Sequence, residues 1–108
     1  MDVVKKVSDV LKTNGFKIAI TPENLAPGLC YVELVRIERD SDVSNLQKRL
    51  YFVDVYYGIR ELDKKANEVE QIMDAFIVGL NGIVGLACDF QDKYAKISLE
   101  ILSFKREV

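Results

Sequence analysis

The chain has 108 residues and a net charge of −2, with 49% hydrophobic and 30% charged residues. That balance suits one globular domain over 1–108 and excludes the disordered class, and the slight acidity (pI near 5.2) gives no general attraction for phosphate backbones. Histidine is absent, which removes the commonest general base and metal ligand, and no apolar run reaches the roughly 18 residues that cross a bilayer.

Val3, Val4, Val7, Val10 and Leu11 recur at helical spacing, so a helix is expected over 3–13, capped by Asp2 and stopped by Asn14-Gly15. "FKIAI" (16–20) alternates at period two and predicts a strand; "TPENLAPGL" holds both prolines and reads as a loop. "CYVELVRIER" (30–39) predicts a long strand with Val32 and Leu34 on one face and Tyr31, Val35 and Ile37 on the other. The polar "DSDVSNLQK" (40–48) predicts the tip of an extended hairpin, and "RLYFVDVYYG" the return strand over 50–57, ended by Gly58.

Asp63 is placed to cap a second helix over 63–80, whose stripe is Ala66, Val69, Ile72, Met73, Phe76, Ile77 and Leu80, with Asn81-Gly82 as its stop. "IVGLACDF" predicts a strand with a bulge or bend at Gly85. "YAKISLEILSF" (94–104) is the last strand, with Ala95, Ile97, Leu99 and Ile101 on one face and Tyr94, Leu102 and Phe104 on the other. The order αβββαββ predicts an α+β fold, a mainly antiparallel sheet with two helices packed on one face.

Such a fold covers only one side of its sheet. Yet Leu50, Phe52 and Tyr56 oppose Tyr51, Val53, Val55 and Tyr57, so the central strand is apolar on both sides. A second subunit is therefore expected to cover one side, with Tyr51, Phe52, Val53, Asp54, Val55, Tyr56 and Tyr57 as the candidate interface. Asp54 is expected either to stay solvated near a sheet edge or to pair with an arginine or lysine, within the chain or across a subunit boundary, Arg36, Arg39, Lys48 and Arg49 being the candidates; a catalytic acid is the least favoured reading, because no second acid, base or metal ligand clusters with it in sequence. The alternating charges of the hairpin, Arg36, Arg39, Asp40, Asp42, Lys48 and Arg49, suit either a solvated tip or a contact arm.

The readings for chemistry are negative. "DSD" lacks the later ligands and glycine of a calcium loop, and "GLNGIVG" has neither the spacing nor the preceding strand of a phosphate cradle. Cys30 and Cys88 read as two buried free thiols of a reducing compartment. No enzymatic activity, metal or cofactor is expected, and the "MDVVKKVSDVL" start, without a signal-peptide core, reads as that of a soluble intracellular protein.

The segments resemble, over nearly the whole chain, the tail terminator (tail completion) proteins of long-tailed bacteriophages, prophages and phage-tail-like particles. The resemblance is carried by "FKIAITPENLAPGL" after the first helix, by "PGLCYVELV", by "RLYFVDVYYG", similar to an aromatic "YxFDIxY"-like strand with Asp54 at the aspartate, and by "ISLEILSFKRE". Cys30 departs from the pattern, in which a different residue is expected. The resemblance implies a structural protein forming a hexameric ring that caps the finished tail tube and joins tail to head. Its implied partners are its own copies, the tail tube protein and a head-completion or connector protein, with DNA passing through unbound and no membrane contact. It implies assembly in the host cytoplasm and residence in the virion or particle. A small ferredoxin-like regulatory or ligand-binding module is the competing expectation for the same outline; it requires a concave pocket with convergent polar groups.

Overall fold

The computed structural model describes residues 2–41 and 46–106. Helices α1 (Val3–Thr13) and α2 (Lys65–Gly79) lie on one face of a five-stranded sheet built from β1 (Lys17–Ile18), β2 (Leu29–Ser41), β3 (Leu46–Gly58), β4 (Ile83–Phe90) and β5 (Tyr94–Arg106). The spatial order is β1-β2-β3-β5-β4. Only β1 and β2 run parallel; every other pair is antiparallel. The fold is the expected α+β in the expected order.

α1 forms where the valine spacing places it. Asp2 accepts a hydrogen bond from the Lys5 amide at 3.0 Å, satisfying an amide that the first turn leaves open. Asn14 ends the helix and Gly15 follows at φ +86°, the left-handed conformation that glycine adopts without a Cβ penalty. Val3, Val7 and Leu11 bury one stripe of α1 against the sheet, as Val69, Ile72, Ala75 and Phe76 do for α2. The helices approach closely at Val10 and Gly79, where a Cβ on the glycine would lie 3.0 Å from a Val10 methyl.

Several expectations are corrected. β1 is two residues long instead of five: the chain leaves the ladder after Ala19, whose amide still donates to the Cys30 carbonyl at 2.7 Å, Ile20 is 88% exposed, and a 3₁₀ turn follows at Pro22–Asn24. Asp63 does not cap α2 but lies inside a 3₁₀ turn, Leu62–Lys64; the N-cap position is Lys64, whose side chain caps nothing. α2 also ends before Asn81-Gly82, because Leu80 is already extended. Gly82, at φ +83°, instead brings the chain onto β5: its carbonyl accepts from the Leu102 amide at 2.8 Å, and a Cβ there would strike the Leu102 carbonyl. Ile77 is 61% exposed. It lies about 100° around the helix from Phe76, at the flank of the stripe.

β2 carries a bulge between Leu34 and Arg36. The extra residue shifts the alternation, so Ile37 stands opposite Tyr51 on the helix side instead of sharing a face with Tyr31. The expected irregularity at Gly85 is present as a register shift between Ile83 and Gly85. Gly58 ends β3 against the preceding loop, where its carbonyl accepts from the Gly28 amide at 2.8 Å and a Cβ would collide with the Ala26 carbonyl. The hairpin turn between β2 and β3, with Asp42, lies outside the described residues.

Tyr51, Val53, Val55 and Tyr57 of β3, with Ala95, Ile97, Leu99 and Ile101 of β5, form the centre of the core under the two helices. Among the described residues, the far side of the sheet carries no helix.

Candidate functional site

The register lays out this open side row by row. Tyr31, Tyr56 and Lys96 stand side by side, with Asp89 beyond; next come Glu33, Asp54, Ser98 and Ala87; then Arg36, Phe52, Glu100 and Gly85; then Glu38, Leu50 and Leu102. The face therefore mixes aromatic, acidic and aliphatic residues. Its tyrosines form a chain: the Tyr56 ring lies 6.4 Å from Tyr31 and 5.9 Å from Tyr94. A shallow concavity of about 470 Å³ lies beside them, lined by Pro22, Leu25, Glu33, Tyr56 and Tyr94.

The seven candidate interface residues divide by parity. Tyr51, Val53, Val55 and Tyr57 are no more than 4% exposed within the single chain. That part of the expectation is corrected: α1 and α2 already cover these side chains, and no neighbour could reach them without displacing the helices. Phe52, Asp54 and Tyr56 are half-buried on the open side.

Asp54 faces Glu33 on β2 and Ser98 on β5. Among the described residues it makes no ion pair. The four candidate cations are engaged or placed elsewhere. Arg36 pairs with Glu38 at 3.1 Å and lies over the Phe52 ring, 4.2 Å from its centroid. Arg39 and Arg49 stand opposite each other in the ladder, on the helix-side parity, and Lys48 stands between Asp40 and Phe104. Two carboxylates directly opposite on one face repel, where opposite charges would stabilise. Burial, and then the charges of Glu33 and Asp54, push the Tyr56 hydroxyl above the ordinary tyrosine range.

Asp54→Ala is therefore expected to leave stability within about 0.5 kcal/mol of the native chain, since no internal partner is stranded and one repulsion is relieved. Urea unfolding of the dilute protein checks this. An effect confined to association would place the role of Asp54 between chains.

A second polar constellation lies at the β3–α2 junction, on the helix side. Glu68 accepts from the Tyr57 hydroxyl at 2.5 Å, the Arg60 amide at 3.1 Å and the Glu61 amide at 3.0 Å. Glu68 lies off the apolar stripe of α2, and no motif in the sequence marks it for this role. It caps the junction in place of Asp63.

Both thiols are free. Burial pushes Cys30 up to about 12 and also raises Cys88. They sit on strands separated by β3 and β5, about 14 Å apart at the usual strand spacing, too far for a disulfide. Among the described residues no group of histidine, cysteine and acidic side chains could hold a metal ion, and no helix is long and apolar enough to cross a membrane. A groove of about 790 Å³ between α1 and α2 is lined by Val10, Phe16, Ala75, Val78 and Gly79 together with the polar Asp9, Thr13, Asn14, Gln71 and Asp74. No protein-family model and no curated protein matches the chain.

Proposed function

We propose that the protein is a structural subunit of a phage or phage-tail-like particle, a tail terminator that assembles as a ring, caps the completed tail tube and provides the surface that joins it to the head. The observation that carries the reading is the uncovered sheet face around Phe52, Asp54 and Tyr56, continuous with the long β2–β3 hairpin. Aromatic residues set among charges suit a surface that is wet in the free chain and covered in an assembly. Burying a large aromatic side chain is worth roughly 1.5–3 kcal/mol, so two or three per contact would drive association. A ring requires heterologous contacts, in which one surface meets a different one, and an open face plus a projecting hairpin supplies two such surfaces. The net charge of −2 leaves such a ring without a general attraction for the DNA backbone that would pass through it.

The test is to add the purified protein to growing tail tubes and to measure its mass by light scattering after size exclusion. A mass of six copies, with tubes that stop lengthening when it is added, supports the reading. Tubes that grow past it unchanged overturn it.

A further inference from the structure

We propose that the open face around Glu33, Asp54, Tyr56 and Tyr94 seats the basic strand ends of a second copy of this chain, in a head-to-tail contact. The proposal rests on the ring reading and names the two surfaces that would meet in it.

The receiving surface is unbalanced as it stands in the single chain. Glu33 and Asp54 are direct cross-strand neighbours, and among the described residues neither makes an ion pair. The nearest arginine, Arg36, is turned away toward Glu38 and the Phe52 ring. Lys96 stands one row along, between Tyr56 and Asp89. A like-charge pair on an otherwise well-patterned sheet is a local cost without an internal return, which is what a surface completed by another molecule presents. The adjoining tyrosines add ring faces on which a guanidinium can lie.

The complementary surface is at the other end of the same strands. Segments 39–49 and 104–108 carry five cations, Arg39, Lys48, Arg49, Lys105 and Arg106, against three acids, so they hold +2 while the whole chain holds −2. The rest of the molecule is thus distinctly acidic, and the basic ends form its electrostatic counterpart. The ladder puts them together: Arg39 is opposite Arg49, Gln47 opposite Lys105 and Leu46 opposite Arg106. These ends cannot fold back onto their own patch. Arg49 lies five residues from Asp54 along one continuous strand, about 17 Å away, and neighbours on both sides hold it there. Arg36 and Lys96, the cations of the adjoining rows, form no ion pair with Glu33 or Asp54, and the strand ends of a second copy supply cations that can. Because the two surfaces occupy different places on the chain, the contact is heterologous and extends around a ring.

Two double variants test this. One reverses the patch, Glu33→Lys with Asp54→Lys; the other reverses the arm, Arg39→Glu with Lys48→Glu. All four positions are exposed or half-buried, so the core is untouched, and circular dichroism confirms folding. The native chain is expected to associate, more weakly in high salt. Each variant alone is expected to associate at least tenfold more weakly, since truncating or reversing interfacial charge pairs commonly costs that or more. An equimolar mixture regains association, because each variant supplies the surface that the other needs, and six copies can alternate. A native chain that stays monomeric at every concentration overturns the proposal. So do folded variants that associate like the native chain, or a mixture that fails to recover. If the native chain caps tubes while the charge reversals change nothing, this pairing falls and the terminator reading stands. If the mixture recovers but tubes are not capped, the pairing stands and the terminator reading falls.

Discussion

Phe76→Ala is expected to destabilise the fold by about 3–5 kcal/mol, whereas Ile77→Ala and Val78→Ala, the next two positions, are expected to change it by less than about 0.5 kcal/mol. Phe76 is fully buried, and its ring is part of the cluster that joins α1, α2 and the sheet. Truncation removes apolar contact and leaves a cavity that strands on one side and a second helix on the other cannot close. Ile77 is 61% and Val78 89% exposed, so they lose little on truncation. For a domain of this size the Phe76 change corresponds to a fall in Tm of roughly 15–30 °C. Thermal unfolding of the three variants at one protein concentration reads the contrast directly. A large loss at Val78 in the dilute chain would mean that the outer side of α2 is covered in solution.

That contrast also marks what the amino-acid pattern could and could not reveal. The stripe of α2 was legible, but its width was not: Ile77 and Phe76 are adjacent letters, and only the position of the sheet decides which is inside. The same holds for β3. Its two sides, Tyr51-Val53-Val55-Tyr57 and Phe52-Asp54-Tyr56, are nearly equal in apolar content, so period two identified a strand without saying which side the helices cover. β5 did hold that information. Lys96, Ser98 and Glu100 alternate cleanly with Ile97, Leu99 and Ile101, and the register of β5 with β3 carries the polarity across to Asp54. Combining the two strands, instead of reading each alone, would have assigned Tyr51, Val53, Val55 and Tyr57 to the core. The bulge at Val35 was not legible, because "VELVRI" contains no glycine or proline to mark it.

The opening of the sheet on one side follows from chain length as much as from pattern. Two helices cover one face of a five-stranded sheet, and among the described residues no further helix remains for the other. On that face, parity brings together residues from three strands that are far apart in sequence: Glu33 with Asp54, and Tyr31 with Tyr56 and Tyr94. None of these groupings is visible as a motif. Each arises from the antiparallel register, which converts separated letters into a contiguous acidic and aromatic surface. The basic strand ends arise in the same way, since Arg39, Arg49 and Lys105 become neighbours only when the three strands align.

Removing the Glu68 carboxylate is expected to cost about 2–3 kcal/mol, a large effect for one partly exposed side chain, because a single group holds three donors from three residues. Tyr57 is 1% exposed, so in Glu68→Ala its hydroxyl loses a charged acceptor in a place with little access to water. The amides of Arg60 and Glu61 lose the acceptor that fixes the chain between β3 and the 3₁₀ turn before α2. Glu68→Gln keeps one acceptor oxygen but turns an NH₂ toward a donor, and should fall between the alanine variant and the native chain. The arrangement also sets a pH window. Burial acts to raise the Glu68 carboxyl, but the hydrogen bonds from Tyr57, Glu61 and Arg60, with the Arg60 charge, outweigh it and hold the carboxyl below the usual range. Its contribution is therefore complete above the unfolded value of about 4.3 and is lost as pH falls through the lower folded value. Burial, and then the bond to Glu68, push the Tyr57 hydroxyl above the usual tyrosine range. Its contribution is complete below the unfolded value of about 10 and is lost as pH rises toward the folded one. Stability should thus be flat with respect to this pair from about pH 5 to 9 and decline on both sides. In Glu68→Gln the acid-side decline should weaken, while Tyr57→Phe should remove the tyrosine's share of the alkaline one. Urea midpoints measured from pH 3 to pH 11 for the three chains decide it; an acid limb unchanged in Glu68→Gln would assign the acid loss to other carboxylates.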